Sequence, residues 1–337
     1  MPVVALCIMG EYRGGKSTFL NFVELFLTIL ESIYFTLILL IETGDIPKHN
    51  SKEYTLQWMK GKGNVMNGFV NTTAANLGFS VSPGTDPNTI GIRFWKKVFV
   101  INRPDVEGGK LGIVLMDTQG LWDPNTDNKT NCSIYGLSCM LSSYLIVNNK
   151  GVISSKFMET TSSLMEFCNN MNNQEKSFQH LDILIRDHPD FFKNWTNEEE
   201  YLSVCNEARN KLENSSAMKE STDNIKSFFQ SFDVFCLPNP GNIDSKGYKG
   251  DLSEISEHFL IAMGYYIEHI LMNIQPRKLN GVVLTGNSFS QYMNECGELF
   301  KKQHEYPPCA NVMDAFYLPF NEKEKENSIN VLLYIID

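Results

Sequence analysis

The sequence predicts an α/β fold in which a mostly parallel β-sheet is flanked by helices. Four apolar runs have the length of buried strands, and each ends in polar or turn residues. These runs cover residues 3–9, 110–117, 181–185 and 232–237. Strands that alternate with helical stretches indicate a wound sheet, and strands that are covered on both faces are apolar throughout. Such sheets bind ligands at the carboxyl ends of their strands, so the polar clusters there form the candidate site.

The first apolar run is followed by a glycine-rich loop with the pattern G-x-x-x-x-G-K-[ST]. Its fixed positions are Gly10, Gly15, Lys16 and Ser17. The glycines let the backbone curl so that its N–H groups point at phosphate oxygens, and the helix that begins here adds the positive end of its dipole. Lys16 would reach the β- and γ-phosphates, and the Ser17 hydroxyl would bind Mg²⁺. Between a strand and a helix, this pattern predicts an enlarged Ras-like P-loop NTPase rather than a glycine turn with a surface lysine.

Two further positions would complete a Mg²⁺ site of this kind. A D-x-x-G motif from Asp117 to Gly120 ends the second apolar run. Asp117 would bind Mg²⁺ directly or through water, and the Gly120 N–H would sense the γ-phosphate. A threonine between the P-loop and this motif would complete the Mg²⁺ shell, and Thr89 has that position, just before the strand-like residues 93–101. Several other threonines lie in the same interval, including Thr72, Thr73 and Thr85.

The pair Arg186-Asp187 follows the third apolar run. An aspartate at a strand end can accept hydrogen bonds from the N1–H and N2–H₂ groups of guanine, whereas adenine lacks this pair of donors. Asp187 would therefore select GTP. The Asn-Lys-x-Asp motif of Ras-like GTPases is absent. On the residues alone an Arg-Asp pair is weak evidence for guanine selection, since a surface ion pair is its usual interpretation. With a purely structural Asp187 the chain would be an ATPase.

The composition argues against several other classes of protein. The 337 residues are 42% hydrophobic, which is ample for a core, and they carry a net charge of −10. An acidic chain lacks the basic surface that nucleic acids require, so no nucleic-acid partner is expected. The eight cysteines form no C-x-x-C pair, which argues against a zinc site and indicates reduced thiols in a cytosolic setting.

The segment after the P-loop is unusually apolar. Residues 25–41 carry one charged side chain, Glu31, and their length is at the lower limit for a membrane-spanning helix. Because the P-loop helix must run through this segment, we predict a buried helix and no clear transmembrane anchor. Further helices are predicted within residues 194–225, 252–274 and 288–303, and residues 43–90 are predicted to be mostly loop.

Several sequence motifs, taken together, carry a family resemblance. They are GEYRGGKSTFLNF at residues 10–22, TIGI at 89–92, LMDTQGLWD at 115–123, LSSYLIVN at 141–148, the Arg186-Asp187 pair, LPNPG at 237–241 and YKGDLSEI at 248–255. In these motifs the chain resembles the GTPase domain of the atlastin and guanylate-binding-protein family, within the dynamin-like superfamily. At position 119 the glutamine resembles the atlastin branch, since guanylate-binding proteins tend to have glutamate at this position.

The resemblance implies a role for each matched residue. Arg186-Asp187 would be the family's guanine-specificity motif, and Arg13 would be an internal arginine finger that stabilises charge on the transferring phosphoryl group. Residues 238–242 would close over the base. The implied GTP-binding residues are Gly10, Arg13, Gly14, Gly15, Lys16, Ser17, Thr18, Asp117, Gly120, Arg186 and Asp187. The implied catalytic residues are Arg13, Lys16, Ser17 and Thr89, and the implied Mg²⁺ ligands are Ser17, Thr89 and Asp117.

The resemblance also implies an activity, partners and a location. The expected activity is Mg²⁺-assisted hydrolysis of GTP to GDP and phosphate by a GTPase domain at residues 1–275. The expected partners are GTP, GDP and a nucleotide-dependent dimer, formed either by two copies or with a full-length relative. The family's role in tethering and fusing endoplasmic reticulum membranes implies a place in the cytoplasm or on the cytosolic face of that membrane.

Departures from the family pattern lead to a second reading. Residues 276–337 would hold a linker, a partial helical middle domain and a tail, without the paired transmembrane segments of atlastins, so the chain resembles a truncated form. We expect contact with a membrane to be indirect for this reason. The alternative function is a catalytically weak or inactive GTP-binding module that regulates a full-length relative through the dimer face.

Overall fold

The fold was analysed in a computed structural model that describes residues 1–12, 14–40, 89, 91–121, 128–170, 178–188, 195, 197–241 and 255–302. The strands are β1 (Val3–Gly10), β2 (Ile92–Phe94), β3 (Phe99–Asn102), β4 (Lys110–Thr118), β5 (Tyr144–Lys150), β6 (Phe178–Arg186), β7 (Phe229–Leu237), β8 (Lys278–Leu279) and β9 (Val282–Val283). The α-helices are α1 (Lys16–Leu40), α2 (Asn128–Leu141), α3 (Ser155–Asn170), α4 (Glu198–Asn214), α5 (Lys219–Phe228), α6 (Glu257–Asn273) and α7 (Gly286–Lys302).

Seven strands form one sheet in the order β2-β4-β1-β5-β6-β7, with β3 also paired to β4. The pairs that join β4, β1, β5, β6 and β7 are all parallel, whereas β2 and β3 run antiparallel to β4. Every residue of β1 is buried, as expected for a strand with neighbours on both sides and helices on both faces. The predicted α/β fold with a mostly parallel sheet is confirmed.

All four apolar runs form strands, but the sequence analysis missed a central one. Strand β5 lies between β1 and β6, and it follows the last residue of α2 after only Ser142 and Ser143. No strong turn residue separates the helix from the strand, so the two cannot be told apart by pattern. Residues 93–101, read as one strand-like segment, form two short strands, because the exposed residues Lys96 and Lys97 interrupt the pairing with β4.

Residues 25–40 of the apolar segment belong to α1, as the helix prediction required, and Ile41 lies outside the described residues. Leu25, Phe26 and Leu27 are buried in the core. The helix continues to Leu40, and the side chains of residues 31–40 lie outside the described part of the chain. Among the helices that the structure describes, none is long and apolar enough to cross a membrane.

The hairpin of β8 and β9 and helix α7 pack against the start of the chain. The Arg277 N–H donates to the Val3 carbonyl at 2.7 Å, and the Val3 N–H donates to the Leu284 carbonyl at 3.1 Å. The Arg277 side chain is 4% exposed and donates to Gln179 Oε1 on β6 and to the Met140 carbonyl on α2. The domain boundary that was placed after residue 275 stays a prediction.

A buried carboxylate stands in the middle of β6, within a run that was read as apolar. Asp182 is fully buried, and its Oδ2 atom accepts hydrogen bonds from the hydroxyls of Tyr144 at 2.6 Å and Tyr266 at 2.9 Å. His180 Nε2 lies 2.8 Å from Oδ1. Because these partners lie on β5, β6 and α6, the network holds helix α6 to the sheet. The charge is tolerated because it has several partners.

This network predicts a difference between two neighbouring tyrosines of α6. Replacing Tyr266→Phe removes a donor to the Asp182 carboxylate, so we expect the free energy of unfolding to fall by about 1–3 kcal/mol. Tyr265→Phe is the matched control, since Tyr265 is also mostly buried but makes no contact with Asp182. Urea denaturation of both variants would measure the effect. Equal losses would mean that the hydroxyl of Tyr266 does not stabilise the fold through Asp182.

Candidate nucleotide site

The P-loop connects β1 to α1 at the carboxyl edge of the sheet. Gly10 has a φ of 143°, and a Cβ atom there would lie 2.1 Å from the backbone oxygen of Asn148 on β5. Gly15 has a φ of 72°, and a Cβ atom there would collide with the guanidinium of Arg186. Both positions therefore need glycine, for backbone conformation and for space. The loop is curled against the ends of β5 and β6.

The side chain of Lys16 folds back onto the backbone of this loop. Its side chain is buried, and Nζ donates to the carbonyl oxygens of Glu11 at 2.9 Å and Gly10 at 3.2 Å. Burial lowers the pKa of Lys16 to about 8. The ammonium group is held by neutral carbonyl oxygens, and an anion in the loop would stabilise its charged form further.

Two hydroxyl groups meet the carboxylate of Asp117 at the end of β4. Ser17 Oγ donates to Asp117 Oδ2 at 2.6 Å, and Thr89 Oγ1 donates to the same atom at 2.9 Å. Asp117 is fully buried, and burial raises its pKa even though both hydroxyls oppose the shift. Two hydroxyls that are far apart in sequence therefore converge on one oxygen atom of Asp117.

These three side chains suit a magnesium ion. Asp117 Oδ1 is buried and accepts no hydrogen bond from the residues that the structure describes. A buried carboxylate oxygen without a partner is costly, and a cation would satisfy it. One carboxylate and two hydroxyls are hard oxygen ligands, which Mg²⁺ prefers, and Mg²⁺ commonly keeps few protein ligands beside substrate phosphates. The residues present thus fit the ion that the sequence predicted.

Backbone contacts hold the loops of the site together. The Gln119 N–H donates to the Gly91 carbonyl at 2.7 Å, and the Gly91 N–H donates back to Gln119 Oε1 at 3.0 Å. This pair holds the segment near Thr89 against the D-x-x-G motif. At Gly120 a Cβ atom would lie 2.1 Å from Tyr12 Cα, so the motif packs directly on the P-loop. Sequence reasoning gave Gln119 no such role.

Two buried donors hold the carbonyl group of Gly14. Asn148 Nδ2 donates to this oxygen at 2.9 Å, and Arg186 Nη1 donates to it as well. Asn148 was missed as a site residue because β5 was missed. A polar residue near the carboxyl end of a recognised strand would have been found by the rule that located the other clusters.

Asp187 follows β6 in a left-handed backbone conformation, with a φ of 56°. Lys150 Nζ lies 3.6 Å from its Oδ2 atom, while Oδ1 is buried and accepts no hydrogen bond from the described residues. The next residue, His188, donates its N–H to the Leu237 carbonyl at the end of β7. Residues 238–241 follow Leu237 directly, so Asp187 lies beside them, and its Oδ1 atom has no hydrogen-bond donor among the described residues.

The structure brings most of the predicted site residues to one edge of the sheet. They are Gly10, Gly14, Gly15, Lys16, Ser17, Thr89, Asp117, Gly120, Arg186 and Asp187, with Thr18 in the first turn of α1. Arg13 and Asn242 lie outside the described residues. The roles of these residues stay predictions, because proximity alone does not assign them.

Comparison with known proteins identifies the family. The model of the guanylate-binding protein N-terminal domain matches residues 1–279. The chain belongs to the guanylate-binding protein family. Among similar proteins, Atlastin-1 of Bos taurus is 24% identical over 327 residues, which cover 93% of this chain and 51% of that protein. Atlastin-3 of Homo sapiens is 26% identical over 306 residues, which cover 87% of this chain and 49% of that protein.

These matches confirm the family resemblance that the motifs indicated, including its atlastin side. The chain spans about half the length of the curated relatives it matches. Among solved structures, the chain is similar to the GTPase-like domain of S. cerevisiae Ski7, bound to GDP and inorganic phosphate. The match covers 81% of this chain and 51% of the Ski7 chain. Its sequence identity is 15% and its TM-score is 0.31.

Proposed function

We propose that this chain binds GTP at the carboxyl edge of its sheet and hydrolyses it to GDP and phosphate with the help of Mg²⁺. The observation that carries the proposal is the convergence of Ser17 and Thr89 on the buried carboxylate of Asp117, beside a P-loop lysine. An arrangement of this kind suits a metal-bound triphosphate. Membership of the guanylate-binding protein family supports the same nucleotide.

Binding begins with an exchange of partners at Lys16. Its ammonium group leaves the carbonyl oxygens of Gly10 and Glu11 and contacts the β- and γ-phosphates. Backbone N–H groups of the P-loop and of the first turn of α1 donate to the same phosphates. The lysine is charged in the complex because the triphosphate replaces neutral carbonyl groups by anionic oxygens.

The remaining side chains organise the reacting end of the nucleotide. Ser17, Thr89 and Asp117 would hold Mg²⁺, which supplies positive charge to the β- and γ-phosphate oxygens when it is bound. The Gly120 N–H would donate to the γ-phosphate. A water oxygen attacks the γ-phosphorus while the bond to the β–γ bridging oxygen breaks, so charge builds up at the bridge. By family resemblance, Arg13 would stabilise charge on the transferring phosphoryl group.

Asp187 would provide the preference for guanine. Its Oδ1 atom accepts no hydrogen bond from the described residues, and its Oδ2 atom lies 3.6 Å from Lys150 Nζ. The two oxygens would accept hydrogen bonds from the two adjacent N–H donors of guanine. Discrimination against adenine follows because the buried Oδ1 atom would remain without a donor when those N–H groups are absent. Residues 238–242 would cover the base on one side.

Assembly and cellular role follow from the family resemblance. We propose a dimer that forms through the GTPase domain when nucleotide is bound, between two copies or with a longer relative. The similarity to atlastins supports this proposal, and the chain would then reach the cytosolic face of the endoplasmic reticulum through its partner. A catalytically weak module that occupies the dimer face of a longer relative is the alternative.

Measuring phosphate release against protein concentration tests the proposed activity. We expect GTP turnover per chain to rise with concentration and to stop when EDTA removes Mg²⁺. Arg13→Ala should lower turnover much more than affinity, by about 10²-fold or more, because an arginine finger acts in the transition state. GTP binding without turnover at any concentration would favour the regulatory module. If Arg13→Ala lowers affinity and turnover equally, Arg13 is a ground-state contact.

Asp187→Asn should change which purine nucleotide binds. The amide would face guanine with a donor where an acceptor is needed, so we expect affinity for GTP to fall about 10–100-fold. Xanthosine triphosphate carries a carbonyl in place of the guanine amino group, and its affinity should rise in the same variant. Competition binding with GTP, XTP and ATP would measure both effects. Unchanged preference for GTP over ATP would show that guanine selection lies elsewhere.

The pKa of Lys16 predicts a pH dependence of GTP binding. Below about pH 8 the free protein already carries the charge, whereas above it binding must take up a proton. Affinity should therefore fall as the pH rises above 8, by up to about tenfold per pH unit. Titration calorimetry between about pH 7 and pH 9 in buffers of different ionisation enthalpy would count the protons. An affinity that stays constant over this range contradicts the assignment, and Lys16→Arg, which keeps its charge, is the control.

A further inference from the structure

An amide below the P-loop has no part in the chemistry proposed above. Asn148 is 1% exposed and reaches the P-loop from β5 through its donation to the Gly14 carbonyl. Arg186, which reaches the same oxygen from β6, is also buried. Two side chains from two strands thus donate hydrogen bonds to the same carbonyl group of the loop. Packing alone does not explain why this one carbonyl has two buried donors.

The geometry of a peptide bond supplies that reason. The described residues contain no cis peptide bonds, so the carbonyl of Gly14 and the N–H of Gly15 point in opposite directions. The carbonyl faces side chains from β5 and β6, so the N–H of Gly15 points away from those side chains. Lys16 and Ser17 follow directly, and the phosphates would bind on the side to which this N–H points.

The peptide between Gly14 and Gly15 needs such a restraint. Glycine has no Cβ atom and adopts several backbone conformations readily, so two adjacent glycines can invert the peptide between them at little steric cost. An inverted peptide would turn a carbonyl oxygen towards the phosphates and repel them. Arg186 offers donors only, and so favours the orientation in which the carbonyl faces the sheet.

We propose that Asn148 is a positioning residue that keeps the Gly15 N–H directed at the β- and γ-phosphates. This inference rests on the proposed function, because it concerns the same nucleotide. Asn148 acts through the backbone and does not touch the ligand itself. The Gly14–Gly15 peptide is then ordered when the protein folds, so GTP binding does not carry the free-energy cost of ordering it.

The chain offers a closely matched pair of variants for the test. Asn148→Asp keeps the size of the side chain but replaces the donor by an acceptor, which repels the Gly14 carbonyl. Asn149→Asp makes the same chemical change one residue further along β5, where the amide donates to Gly151 at 3.0 Å and makes no contact with the P-loop. Affinities for GTP, GDP and GMP would be measured on the full chain with Mg²⁺, together with thermal stability.

We expect Asn148→Asp to weaken GTP and GDP by about tenfold or more, because a directed donor to the phosphates is lost. GMP lacks the β- and γ-phosphates, so its affinity should not change, and Asn149→Asp should bind all three nucleotides as the unaltered chain does. A loss that is equal for GMP, or no loss at all, would overturn the inference. If Asn148→Asp does not fold, the same criteria apply to Asn148→Ala, which removes the donor without adding a charge.

Failure of this inference is distinguishable from failure of the proposed function. If the unaltered chain does not bind GTP with Mg²⁺, the proposed function is wrong and the inference falls with it. If the unaltered chain binds GTP and Asn148→Asp binds it equally well, only the role of Asn148 is wrong. A purely structural role for Asn148 would lower thermal stability without separating GTP from GMP.

Discussion

The fully buried carboxylate of Asp117 is the group on which the arrangement of the site depends. A carboxylate without solvent is stable only when other groups supply donors or positive charge, and here two hydroxyls donate to a single oxygen. Ser17 belongs to the first turn of α1, and Thr89 precedes β2. The need to satisfy one acid therefore draws the P-loop helix and a distant loop to the end of β4.

Backbone contacts then make these loops depend on one another. The Leu121 N–H donates to the Gly10 carbonyl at 2.9 Å, so the D-x-x-G motif extends the sheet along the P-loop. Gln119 and Gly91 exchange two hydrogen bonds in the same region. These contacts connect the P-loop, through the D-x-x-G motif, to the segment beside Thr89.

The same sheet holds two kinds of buried acid, and their hydrogen bonding distinguishes them. Asp182 has two tyrosine hydroxyls on one oxygen and a histidine on the other, so its network holds the fold together. Asp117 and Asp187 each keep one buried oxygen without a donor among the described residues. Unsatisfied acceptors at the carboxyl edge are where a cation and a base with N–H donors would complete the bonding.

The sequence by itself determined β1, the P-loop and the D-x-x-G motif, because each depends on backbone geometry that a few adjacent residues impose. Strand β5 could not be predicted from the sequence, since its apolar residues continue those of α2 without a turn. The sequence offered Thr89 as one of several threonines for the Mg²⁺ shell, and the tertiary structure shows its hydroxyl on Asp117. The tertiary structure alone brought Asn148 to the Gly14 carbonyl, across 134 positions of the chain. Contacts of this kind are set by strand order and packing, which no local pattern of residues records.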